Sequence, residues 1–126
     1  MPNKNDFPIT FDRLKLILKE FEPNLTVKID KADNYYLDSP YSEKFKKTIF
    51  FAAVQIKKNY VSYLLMPVYV FPDLLDSVSP NLMKRMQGKS CFNFTTINEE
   101  LFAELSLLTR HGFERFRQSK GSFLFV

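Results

Sequence analysis

The chain offers few side chains that could act as nucleophiles or soft metal ligands, because it contains one histidine and one cysteine. A zinc centre or a two-histidine iron centre needs several such ligands, which His111 and Cys91 cannot supply. His111 follows Arg110 on the polar side of a predicted helix, and Cys91 alternates with Phe92 on a predicted strand. We interpret His111 as a surface residue and Cys91 as a small packed side chain.

The tripeptide Gly88-Lys89-Ser90 invites comparison with a phosphate-binding P-loop. In that motif the first glycine would fall at Met83, and the loop would lead from a strand into a helix. Here the chain leads from a helical segment into a strand, so we interpret the tripeptide as a helix stop followed by an edge lysine. Titratable residues form no cluster at catalytic spacing elsewhere, and we expect that the protein is not an enzyme of a familiar class.

Basic residues beside tyrosines could form a patch that contacts phosphates. Most aromatic residues, however, alternate into core positions, and the net charge of +4 arises from 18 basic and 14 acidic residues that are interspersed. We therefore expect no nucleic-acid partner. The basic residues in question are Lys44, Lys46, Lys47, Lys57, Lys58, Lys84, Arg85 and Lys89.

Length and composition predict one globular domain spanning residues 1–126, with 45% hydrophobic residues and 14 phenylalanines but no tryptophan. No apolar run reaches the roughly 18 residues that cross a bilayer, and the first eight residues lack the apolar region of a signal peptide. The lone Cys91 cannot form an internal disulfide. We expect a cytoplasmic protein without a membrane partner.

The segment from Thr48 to Phe71 organises the rest of the chain, and its branched and aromatic residues predict a β-hairpin. If Lys58-Asn59 is a two-residue turn, with positive φ at Asn59, then Val54 pairs with Tyr63. Alternation then divides the side chains between two faces. The predicted core face carries Phe50, Ala52, Val54, Ile56, Val61, Tyr63 and Leu65, and the second face carries Ile49, Phe51, Ala53, Gln55, Ser62, Leu64, Met66 and Val68.

The second face predicts the candidate binding site. Gln55 and Ser62 fall opposite each other, and Asn93 joins them if its strand belongs to the same sheet. We expect a shallow polar groove at these three residues that contacts a small ligand, a protein partner or a second copy of the chain. The apolar base of the face needs a cover, for which we favour four residues of the chain itself over a partner surface: Leu74, Leu75, Val78 and Met83.

The flanking segments predict an α+β fold. Thr10 is the predicted N-cap of a first helix that ends at Pro23, and Thr96 with Glu99 the capping box of a last helix that ends at Gly121. Between these helices lie alternating strands and, from Asp73 to Met86, short helical turns. The order predicts a single antiparallel β-sheet with the N- and C-terminal helices packed on the face of Val54, Tyr63 and Phe92.

Parts of the chain resemble the YdhG-like family of small bacterial domains, which are largely of unknown function. The resemblance rests on VQIKKNYVSYLLMPVY from Val54 to Tyr69, on Ser79-Pro80, and on MKRMQGKSCFNF from Met83 to Phe94. It covers about Lys47 to Arg117 and implies a frataxin-like fold, with helices on one face of an antiparallel sheet. The resemblance implies no catalytic residue.

The same resemblance makes an intracellular iron chaperone the alternative function. Frataxin-type iron binding uses acidic residues along the first helix and first strand, where Asp12 and Glu20 are the candidate iron ligands. Lysines and arginines are mixed among the acidic residues here, which departs from the family pattern because hard cations prefer converging carboxylates. We therefore favour a binding domain without a cofactor, acting as a monomer or weak homodimer on an unknown protein or small ligand.

Overall fold

The computed structural model describes residues 6–40 and 46–118, which form an α+β fold built on a single antiparallel sheet. The five strands follow one another in the sheet in chain order. Within the described residues no helix is long and apolar enough to cross a membrane. The elements are α1 (Phe7–Lys19), a 3-10 turn (Glu22–Asn24), β1 (Thr26–Lys31), β2 (Asn34–Asp38), β3 (Phe50–Ile56), β4 (Val61–Leu65), α2 (Met66–Val70), a 3-10 segment (Pro72–Ser77), α3 (Pro80–Met83), β5 (Cys91–Phe94) and α4 (Glu99–Gln118).

The predicted register of the central hairpin is confirmed. Val54 pairs with Tyr63, and the amide of Lys57 donates to the carbonyl oxygen of Tyr60 at 2.8 Å. The predicted positive φ at Asn59 is wrong, since Lys46 is the one non-glycine residue with positive φ in the described ranges. The pairing of the strands thus holds the register without a primed turn.

The predicted core face is confirmed at its centre, where Val54, Tyr63 and Phe92 are fully buried. Helix α1 packs on β3 and β4 and contacts α4, so the terminal helices lie on this face of the sheet. The apolar stripe of α4 is buried as predicted. Its members are Leu101, Phe102, Leu105, Leu108, Phe113 and Phe116.

A β-bulge at Phe51 exchanges the two faces at the start of β3. Leu37 pairs with Ala52 but Asp38 pairs with Phe50, so Phe51 is the inserted residue. Phe51 is fully buried against the aromatic rings of α4, whereas Phe50 lies on the second face with its ring 4.6 Å from that of Tyr36. The predicted placement of both phenylalanines is therefore wrong, because strict alternation does not survive an inserted residue.

The second hairpin strand ends earlier than predicted, at Leu65, because Pro67 lies in the first turn of α2. The helix turns Val68 into the main core and packs Met66 against it. The expected cover of the second face is also wrong for three of its four residues, and the fourth, Met83, is 40% exposed. Leu74 belongs to the main core, or helix-side cluster, which lies between the helices and the sheet, and Leu75 and Val78 pack against this core.

Both predicted helix caps are wrong. Helix α1 begins at Phe7, with Pro8 in its first turn, and Thr10 is buried inside the helix. At α4 the cap is Asn98, whose side-chain oxygen accepts from the amide of Leu101 at 3.1 Å. The predicted stop at Gly121 lies outside the described residues.

We expect that Val54→Asp leaves the domain unfolded without denaturant. The substitution places a carboxylate at a fully buried site. An unpaired buried charge costs about 3–5 kcal/mol and the lost burial of the valine about 1.5–3 kcal/mol more, which together are comparable with the total stability of a small domain, about 5–15 kcal/mol. Thermal unfolding followed by circular dichroism measures the effect. Val27→Asp is the matched control, because Val27 on β1 is 40% exposed. A cooperative melt of Val54→Asp within a degree or two of the parent would contradict the core assignment.

We expect that Gly112→Ala destabilises the protein, although the same change inside a helix normally stabilises it by about 1 kcal/mol. A Cβ at Gly112 would lie 2.8 Å from Cβ and 3.1 Å from Cγ of Pro67, and overpacking of this kind costs roughly 1–3 kcal/mol. In a Pro67→Gly background the alanine should become neutral or stabilising, which a double-mutant cycle of urea melts measures. A stabilised single variant would refute the close packing of α2 on α4.

Candidate functional site

The second face of the sheet carries two rows of residues, each with one residue from every strand. The first, the polar row, follows the cross-strand pairs near the tip of the central hairpin: Lys31, Asn34, Gln55, Ser62 and Asn93. The second, the apolar row, is the next row on the same face, away from the hairpin tip, and each of its residues is two positions from the polar-row residue of its strand. Its members are Ile29, Tyr36, Ala53, Leu64 and Cys91. The sheet thus places the three predicted groove residues side by side, on β3, β4 and β5.

Hydrogen bonds order the side chains of the polar row. The hydroxyl of Ser62, which is 2% exposed, donates to Oδ1 of Asn93 at 2.7 Å. The Asn93 side chain in turn donates through Nδ2 to Oε1 of Gln87 at 2.7 Å. At the other end of the row, Nε2 of Gln55 donates to Oδ1 of Asn34 at 3.3 Å. Because the buried Ser62 hydroxyl needs a partner, its bond fixes the orientation of the Asn93 amide.

The polar row ends at a concavity of about 410 Å³ between the hairpin tip and the segment that precedes β5. The backbone N–H of Asn93 donates to the carbonyl oxygen of Arg85 at 2.8 Å, and the backbone N–H of Gln87 donates to the carbonyl oxygen of Cys91 at 2.9 Å. These bonds hold residues 85–87 alongside β5. The concavity is lined by Asn59, Tyr60, Lys84, Arg85, Met86, Gln87, Asn93 and Thr95.

The charge of this concavity comes from Lys84 and Arg85, since none of its described lining residues is acidic. Both are exposed, and within the described ranges neither forms an ion pair. A neighbouring concavity of about 360 Å³ shares these two cations and Thr95, and Glu100 lines that one. The arrangement can hold an anion or an uncharged ligand rich in hydrogen-bond acceptors.

The apolar row lies apart from the main core. Ala53 is fully buried and Tyr36 and Leu64 are half-buried, yet none of the three belongs to the helix-side cluster. The hydroxyl of Tyr36 is near the carboxylate of Asp38, and burial together with this charge raises its pKa. The row therefore supplies an apolar surface beside the polar one.

The candidate iron ligands lie apart from this face. Asp12 is exposed on α1, and Glu20 accepts from Arg110 at 3.4 Å. Two other acidic residues nearby are also paired with lysines, Glu22 with Lys19 and Asp30 with Lys15. In the part of the chain that the structure describes, no three His, Cys, Asp or Glu residues lie close enough to hold a metal ion.

His111, Cys91 and Gly88 lie at three separate places in the structure. His111 is exposed and lines a separate concavity of about 440 Å³ between the 3-10 segment and α4. Cys91 is half-buried, and its thiol donates to Oδ1 of Asn93 at 3.2 Å. Gly88 has a φ of +82° in the turn before β5, a conformation that favours glycine.

Sequence reasoning missed three contributors to the site, namely Lys31, Asn34 and Gln87. Asn34 begins β2 and lies opposite Gln55, but alternation alone does not tell which residue of β2 faces which residue of β3. Gln87 comes directly before the glycine of the predicted helix stop. Its contact with Asn93 depends on residues 85–87 returning along the edge of β5, which no local signal indicates.

No family model, curated protein or solved structure matches this chain. The resemblance to the YdhG-like family therefore stays a prediction. The roles of the site residues rest on their own geometry and chemistry.

We expect that anaerobic calorimetry with ferrous iron gives no saturable micromolar binding. Asp12 and Glu20 are eight residues apart on α1 and its C-terminal end, which places them about 12 Å apart along the helix axis, and Glu20 already bonds to Arg110. Saturable binding that is lost in Asp12→Asn and Glu20→Gln, but kept in the exposed control Asp76→Asn, would establish the iron-chaperone alternative instead.

Proposed function

We propose that this chain is a cytoplasmic binding domain with no catalytic role, and that its ligand or partner contacts Asn93 and the adjoining concavity, with Gln55 beside them on the same face and the buried Ser62 orienting Asn93. The absence of a cofactor and of a nucleic-acid partner is part of the proposal. A monomer or a weak homodimer is the oligomeric state that we propose.

The observation that carries the proposal is the hydrogen-bond chain from Ser62 through Asn93 to Gln87. It begins at a buried hydroxyl and ends at a side chain that lines a concavity of about 410 Å³. Polar side chains on a sheet face usually bond to water, whereas these bond to one another and are held in fixed orientations. Fixed polar groups beside a concavity are the arrangement that small-ligand sites use for specificity.

The apolar row extends the same surface and supports a ligand or partner with an apolar part. Tyr36, Leu64 and Cys91 lie two residues along their strands from the polar row and are half-buried. The frataxin-like iron chaperone stays the alternative proposal and rests on the resemblance alone.

Nuclear magnetic resonance with ¹⁵N-labelled protein tests the proposal, using a mixed set of neutral, anionic and cationic fragments as probes. We expect amide shifts to cluster at Tyr60, Gln87 and Asn93. Asn93→Ala should weaken the best fragment at least about tenfold, because it removes the group that orients the site, and a lost hydrogen bond costs about 1–3 kcal/mol.

Asn24→Ala is the matched control, since Asn24 is exposed in the 3-10 turn after α1. The amide spectrum of each variant reports whether it is folded. Shifts that cluster away from the concavity, or equal affinity in the parent and in folded Asn93→Ala, would refute the proposed site.

A further inference from the structure

We infer that the concavity at the hairpin tip binds the phosphate group of a small phosphate monoester. Lys84 and Arg85 are the binding cations, and the side-chain Nε2 of Gln87 is a neutral donor. The inference rests on the proposed function and names the ligand class of that site.

The charge of the lining supports a dianion. Lys84 and Arg85 contribute two positive charges, and none of the described lining residues is negative. Neither cation is paired with a carboxylate in the described part of the chain. By contrast, Arg13, Arg110 and Arg115 each have a carboxylate partner. A phosphate monoester carries about −1.5 to −2 charges at neutral pH, which matches the lining.

The Gln87 side chain presents a donor to the concavity. Asn93 uses its carbonyl oxygen for Ser62 and its Nδ2 for the Oε1 of Gln87. The acceptor oxygen of Gln87 is thus occupied from the protein side, which leaves its Nε2 hydrogens for a ligand. With Arg85 as a planar fork that bonds two oxygens at once, the available hydrogen-bonding capacity favours an oxyanion over a cation.

The size of the concavity indicates more than a free ion. About 410 Å³ lies within the range of small-molecule sites, and Tyr60 and Met86 line it beside the polar groups. These side chains supply an apolar wall for the organic part of the ester. A long polyanion needs a track of cations, whereas the polar row continues from Asn93 through the uncharged Ser62 and Gln55.

Phenyl phosphate is the test ligand and phenol its uncharged counterpart, followed by amide shifts in 150 mM salt. We expect saturable shifts at Tyr60, Gln87 and Asn93 with phenyl phosphate, and at least about tenfold weaker binding of phenol. Arg85→Gln should weaken phenyl phosphate at least about tenfold. Arg117→Gln, at an exposed arginine near the end of α4, should leave it unchanged.

Other results would overturn the inference in distinguishable ways. Equal binding of phenol and phenyl phosphate at the concavity would remove the phosphate assignment but keep the proposed binding site. Shifts scattered over the surface lysines would show nonspecific charge attraction. Tighter binding of single-stranded oligouridylate, with a steep loss in salt, would assign the site to a polyanion. If neither phenyl phosphate nor any fragment binds there, the proposed function fails as well.

Discussion

The pairing of Val54 with Tyr63 at the centre of the sheet is the constraint on which the rest of the structure depends. Because side chains alternate with a period of two, this one pairing assigns the residues of β4 and those of β3 from Ala52 onward to a face. The antiparallel ladders carry the assignment outward to Tyr35 on β2 and Phe92 on β5. Slipping the pair by one residue would bury Gln55 and Ser62 under α1 and expose Val54 and Tyr63. The cost of burying those polar groups without partners keeps the register unique.

The bulge at Phe51 and the helix that begins at Met66 keep two large apolar side chains off the second face of the sheet. Without them, Phe51 and Val68 would lie on the second face and need a cover. The inserted residue turns Phe51 toward the rings of Phe113 and Phe116, and the first turn of α2 brings Val68 into the same core. Gly112 then lets the ring of Pro67 approach α4 closely. One face of the sheet therefore collects most of the large apolar side chains, and the other face carries the polar row and the apolar row.

That division between the faces is what makes a site possible. Ser62 is as buried as a core residue, and its hydroxyl donates to Asn93, which fixes the Asn93 side chain. Asn93 in turn donates to the side chain of Gln87 and so orients it at the rim of the concavity. The two cations at that rim come from the segment before β5, which is held against the strand by backbone hydrogen bonds. The proposed ligand site thus joins a rigid sheet to an edge segment, and its chemistry depends on both.

The sequence by itself determined the fold class, the central register and the helix stripes, because hydrophobic periodicity is a local signal. It also placed Gln55 opposite Ser62. Only the tertiary structure decided the bulge, the start of α1 at Phe7 and the placement of Leu74 on the helix side. Each of these depends on what packs from elsewhere in the chain. Gln87 and the cations of the concavity belong to the same class, since a return along a strand edge is set by long-range hydrogen bonds that leave no local pattern.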